Sequence, residues 1–128
     1  MTIFEPRAFA KPVYQALTEL SSNANNDKDR LKEQRNQAIE LYTYLATWGL
    51  MRLKAEEKAL SQEDKKDVVK KFFECLERLS GEPNLAGDAG LTTLTNLSPE
   101  KYLGLTGLGL SLAQEFSFWA AAVYHNVK

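Results

Sequence analysis

The chain has 128 residues, of which 44% are apolar, and its 16 basic and 17 acidic side chains leave a formal net charge of −1. That balance excludes wholesale disorder and a surface basic throughout, and a chain of this length buries a core without covalent staples, as one domain. The lone cysteine, Cys75, excludes an internal disulfide and suits a reducing, cytoplasmic setting, while residues 1–7 lack the basic-then-apolar order of a secretory signal.

In the first element, Phe9, Val13, Leu17 and Leu20 recur at helical spacing. Pro12 has no N–H to donate and crowds the preceding turn, so the regular helix is expected from residue 11 or 12 to 21, with an irregular stretch or short separate turn upstream. Short polar side chains over 21–27 compete for backbone hydrogen bonds and predict a loop, in which Asn26 or Asp27 caps the next helix.

The second helix is expected over about 28–59. Its middle, with Leu41, Tyr42, Leu45, Ala46, Trp48, Leu50, Met51 and Leu53, is apolar nearly all round, as in a helix buried on several sides. Gly49 inside it predicts close packing or a local bend. Ser61 then reads as a cap and Glu63 and Asp64 as first-turn acids. Val68, Val69, Phe72, Phe73, Leu76 and Leu79 share the apolar face of a third helix, which Gly81 caps and Pro83 blocks. Residues 82–97 read either as a loop or as a short helix beginning near Asp88, packed through Leu85, Leu91, Leu94 and Leu97.

Ser98-Pro99-Glu100 combines a cap, a proline at the first helical position and an acid, which together start the last helix. Between 103 and 124 the only formal charge is Glu115. It divides the stretch into pieces too short to span a bilayer, so a buried helix wrapped by the others is expected instead of a membrane span. Gly104, Gly107 and Gly109 lack the preceding strand and the spacing of a dinucleotide fingerprint. They are expected to let a neighbouring helix approach closely, or else to mark a bend near Gly107. The fold class is therefore all-α: an antiparallel bundle of four main helices, with room for one additional short helix between the third and fourth.

Chemical signatures are sparse. His125 is the only histidine and has no second histidine to share a metal, so it reads as a terminal cap or surface residue. Cys75 lies mid-helix beside Glu74, without the cations or helix N-terminus that activate a thiol. Glu40, Glu74 and Glu115 are helix carboxylates, of which only Glu115 has apolar surroundings; an enzyme is the last-ranked reading, and no cofactor or metal is expected.

The expected role is that of a non-catalytic interaction or assembly subunit working through apolar and aromatic helix surfaces. Its partner is a protein, either a second copy or a member of a larger complex. Candidate interface residues are Tyr44, Trp48, Phe116, Trp119 and Tyr124, with Trp48 the more core-like, Tyr44 the more exposed, and Arg52 placed to stack on Trp48. The alternative is an RNA- or DNA-binding accessory subunit, contacting phosphates through Lys65, Lys66, Lys70, Lys71 and Arg52. Acids interleaved at Asp64 and Asp67 favour a solvated face for these lysines. In size, helical content and mixed charge the chain is similar in class to the small helical subunits of type III CRISPR effector complexes. That likeness implies a ribonucleoprotein partner, and no residue motif carries it.

Overall fold

The computed structural model describes residues 7–127, and within them every regular element is helical. There are six: α1 Arg7–Asn23, α2 Lys28–Trp48, α3 Leu50–Ala59, α4 Glu63–Ser80, α5 Gly90–Asn96 and α6 Pro99–Val123. The expected irregular stretch before Arg7 lies outside the described residues.

Where local chemistry sets a helix end, the expectation holds. Asp27 Oδ1 accepts from the N–H groups of Asp29 (3.0 Å) and Arg30 (3.2 Å), two donors that the start of α2 cannot satisfy internally. Gly81 closes α4 in the left-handed region at φ 75°. Ser98 Oγ accepts from the Lys101 N–H at 3.2 Å, with Pro99 in the first turn of α6.

Several boundaries differ. α1 begins at Arg7, so Pro12 sits inside it and not in its first turn. The face carried by Val13, Leu17 and Leu20 is buried, and that burial offsets the one backbone bond the proline cannot make. The cap of α4 is Gln62 and not Ser61; the Gln62 side chain instead donates to Glu33 on α2 at 3.0 Å. Residues 82–97 contain the short helix α5, which starts after Ala89 and not at Asp88.

The largest departure is at Gly49. Its backbone lies at φ 88°, ψ 172°, a region open in practice only to glycine, and the expected helix over 28–59 becomes two. A Cβ there would lie 3.6 Å from the Tyr102 hydroxyl, an ordinary contact, so of the two expectations it is the bend that the glycine serves. The Met51 N–H donates to that hydroxyl at 3.1 Å, which ties the start of α3 to α6.

Contacts between named residues set the directions of the long helices. Pro12 and Glu19 of α1 meet Cys75 and Lys71 of α4, so these two run antiparallel. Ala38 and Ile39 of α2 meet Ser117 of α6, whereas Gly49 meets Tyr102, so α2 and α6 are antiparallel too. The core lies where α1, α2, α4 and α6 converge, around Leu17, Leu41, Leu45, Phe72, Phe73, Leu112 and Phe116. Phe72 packs edge-on against both Phe73 (5.2 Å) and Phe116 (5.8 Å). No described helix is long and apolar enough to cross a membrane.

Candidate protein interface

α6 is apolar around its whole circumference, and its neighbours decide which side is covered. α4 lies beneath it, with Phe72 against Phe116 and against the Gly109 backbone. α2 flanks one side, where Ser117 Oγ donates to the carbonyl oxygens of Ile39 (2.9 Å) and Ala38 (3.4 Å). α1 flanks the other, where Tyr14 meets Trp119 edge-on at 5.6 Å. The fourth side faces solvent.

That open side begins with exposed Glu100 in the first turn and then carries Leu103, Gly104, Gly107, Ser111, Gln114 and Phe118, continued by Ala121 and Ala122, with no formal charge from Leu103 onward. Leu103 is 73% exposed and Phe118 65% exposed. A solvent-facing helix side ordinarily carries charged residues, and each large apolar side chain left in water forgoes roughly 1.5–3 kcal/mol of burial. Glu115 is turned off this face onto the α1 flank, half-buried, where the Trp119 indole N–H donates to it at 3.4 Å.

The glycines divide by face. Gly109 is the close-packed one, since a Cβ there would lie 3.3 Å from both Leu45 and Leu50. Gly104 and Gly107 have open space around them and belong to the exposed side, and α6 continues through Gly107 as one helix. The expectation of close helix approach thus holds for one glycine of three.

Trp48, Met51 and Arg52 lie at the junction of α2 and α3, which the Met51 N–H ties to Tyr102 of α6. Trp48 is 53% exposed, with the Arg52 guanidinium 4.5 Å above its ring, the expected stack. The expected ranking of Trp48 and Tyr44 is reversed: Tyr44 is half-buried against the core and donates to the Arg52 carbonyl at 3.5 Å. Trp48 is the last residue of α2, and Arg52 in the first turn of α3 is the group that lies over its ring. Burial, with the Glu56 carboxylate nearby, holds the Tyr44 phenol above its usual range. Ile39 is also exposed, and its backbone carbonyl is the one that accepts from Ser117 on the α2 flank.

Two further candidates are corrected. Phe116 is fully buried against Phe72, and Tyr124 is buried at the end of a polar chain linking three helices. The Tyr124 hydroxyl donates to Gln34 Oε1 at 2.7 Å, Gln34 Nε2 donates to Asp64 at 3.2 Å, and Arg30 Nε donates to Asp64 at 3.1 Å. Burial, reinforced by Asp64, pushes the Tyr124 phenol upward. Trp119 is half-buried between Tyr14 and Phe118 and borders the exposed face.

Of the basic candidates, two are drawn into ion pairs and one into an aromatic stack. Lys71 is held by Glu19 (3.1 Å) and Glu74 (3.6 Å), Lys66 lies 4.0 Å from Glu63, and Arg52 belongs to the Trp48 stack. Lys70 is exposed and Lys65 half-buried. His125 lies in the C-terminal turn with Nδ1 3.0 Å from the Ala122 carbonyl oxygen. The sequence reading missed a buried ion pair, Lys54–Glu57, 3.0 Å apart. The signal was available: both residues fall in helical register with Leu50 and Leu53, on the buried side of α3.

No family model matches the chain, and no curated protein or solved structure is significantly similar to it. Geometry and chemistry therefore carry the functional reading.

Cys75 is buried, and its thiol is pushed up to about 11 from an ordinary 9.0, chiefly by burial. Between those two values the unfolded chain releases a proton that the native chain keeps. The contribution to stability is therefore present below the unfolded value and is lost as pH rises through the native one. Urea midpoints should show wild type losing stability relative to Cys75→Ala between about pH 9 and 11. Parallel pH profiles for the two proteins would disprove it.

Proposed function

We propose that this chain is a non-catalytic assembly module and that the open side of α6 is its docking surface. One observation carries the reading: the exposed side of a 25-residue helix, from Leu103 onward, has no formal charge and ends in two largely exposed apolar side chains. Large exposed apolar side chains on one uncharged stretch of helix are a feature of partner sites in proteins that are otherwise well covered. We read α1, α2, α4 and α6 as the four-helix bundle that holds this surface in place, with α3 and α5 closing one end. A nucleic-acid role draws less support, because three of the five expected phosphate-binding cations, Lys66, Lys71 and Arg52, are engaged in ion pairs or a tryptophan stack.

Single thiols placed on the face test this. Leu103→Cys and Phe118→Cys alter exposed positions, and the buried Cys75 thiol, with its raised pKa, is a slow competitor. Maleimide labelling at both new thiols should slow when the protein is concentrated or mixed with extract of its native host. Unchanged, solvent-limited labelling under every condition would remove the reading.

A further inference from the structure

We infer that residues 82–97 form a strap that opens as a unit while the four long helices stay folded, with Glu77 as its latch and the buried Lys54–Glu57 pair as the reason it opens. The inference is independent of the docking surface on α6.

The strap is tied to itself. Asn84 at φ 62° and Gly87 at φ 83° turn the chain back, and Thr93 Oγ1 donates to the Asn84 carbonyl at 2.8 Å, which joins the loop to α5. Its seat is peripheral, since α5 lies on α3, itself only ten residues long. The large side chains it buries are Leu85 and Leu94. At the hinge beside Gly81, the Glu82 N–H donates to Ser80 Oγ at 3.1 Å. Beyond the hinge, Glu77 Oε1 on α4 holds the strap, accepting from the N–H groups of Leu85 at 2.8 Å and Ala86 at 3.1 Å. Removing that one oxygen leaves two backbone donors without their partner.

What the strap covers sets how readily it lifts. A Cβ at position 90 would overlap Lys54 Cε and the Leu85 carbonyl oxygen, so the backbone of α5 rests directly on the lysine stem. Lys54 is 1% exposed and Glu57 7% exposed. Lifting a segment from an apolar layer only gives up burial. Lifting this one also returns two charges to water, and the hydration they regain offsets part of the burial lost by Leu85 and Leu94. On the Glu57 side, a depression of about 280 Å³ bordered by Glu57, Lys70, Glu74, Ala86, Gly87 and Asp88 already brings solvent to the edge of the strap. The bundle interior around Phe72 and Phe116 has no such compensation. The strap therefore opens at a lower free energy than the bundle unfolds, and it changes position while the bundle stays intact.

Native-state hydrogen exchange, together with acylation of Lys54 by an amine reagent, tests this. Corrected for intrinsic rates, the amides of Leu85, Ala86, Thr93 and Leu94 should exchange about a hundredfold or more faster than those of Phe72 and Phe116. Phe116→Leu should speed exchange in the bundle and leave the strap unchanged, because it weakens the closed and the open strap equally. Glu77→Ala, checked for intact helix content by circular dichroism, should speed both strap exchange and Lys54 acylation about tenfold or more, with exposed Lys101 as the internal standard. Glu77→Gln keeps an acceptor oxygen and should lie closer to wild type. Lys54→Met combined with Glu57→Leu should slow strap exchange below the wild-type rate, since opening then hydrates no charge. Equal protection of strap and bundle would overturn the inference, as would equal acceleration of both by Phe116→Leu. A Glu77→Ala strap that exchanges at the wild-type rate would remove the latch, and a faster strap in the Lys54→Met, Glu57→Leu variant would remove the role of the ion pair.

Discussion

Phe116→Ala should lower the unfolding free energy by about 3–5 kcal/mol, whereas Phe118→Ala, two residues along the same helix, should change it by less than about 0.5 kcal/mol. Two residues along a helix is a turn of about 200°, so the two rings point to opposite sides of α6. Phe116 is fully buried, edge-on to Phe72 at 5.8 Å, at the place where α4 and α6 meet. Removing it leaves a cavity that neighbours already in contact with one another cannot close. Phe118 has little covering to lose, touching Trp119 edge-on at 5.3 Å while remaining 65% exposed. Urea denaturation of the two variants at low protein concentration checks this, because self-association would otherwise add to the apparent stability of wild type. Equal losses, or a larger loss from Phe118, would mean that the helix is rotated from the orientation described.

Glu57→Ala should cost about 3–5 kcal/mol, and Lys54→Met combined with Glu57→Leu should recover most of that loss. Lys54 is 1% exposed, with Nζ 3.0 Å from Glu57 Oε1 and 4.8 Å from the centre of the Phe73 ring. Above it, Gly90 opens α5, and any Cβ there would overlap Lys54 Cε and the Leu85 carbonyl. The lysine stem thus fills the space between α3, α4 and the segment leading into α5. Removing the carboxylate leaves an ammonium group in a site that excludes water and offers an aromatic face as its other close neighbour. Removing both charges and keeping the volume avoids that penalty. A double-mutant cycle by chemical denaturation gives the coupling. A Glu57→Ala variant within about 0.5 kcal/mol of wild type would show that water reaches Lys54.

The two variants separate the interior from the proposed working surface. Glu57 and Phe116 serve the fold. Leu103 and Phe118 contribute little to it, which makes them usable as probes of docking without loss of structure.

The sequence by itself determined the helical class and the helix ends at Asp27, Gly81 and Ser98-Pro99. Asp27, Gly81 and Ser98-Pro99 act on backbone groups within a few residues, through a hydrogen bond, a permitted positive φ and a preset φ, so their effect needs no partner. The apolar period of α4 likewise named its buried side in advance, because one face was apolar and the other charged. α6 offered no such contrast. With apolar residues on every side, its periodicity could not distinguish Phe116 from Phe118 or Gly109 from Gly107, and only the placement of α1, α2 and α4 around it made that choice. The exposure of Trp48 was hidden for a related reason: glycine permits a break without requiring one, and the outcome depended on what the next turn could bury. Lys54 was concealed by its own chemistry, since a charged residue enters the core only when a counter-charge and a fitted cavity arrive together, and that cavity is built by helices distant in sequence.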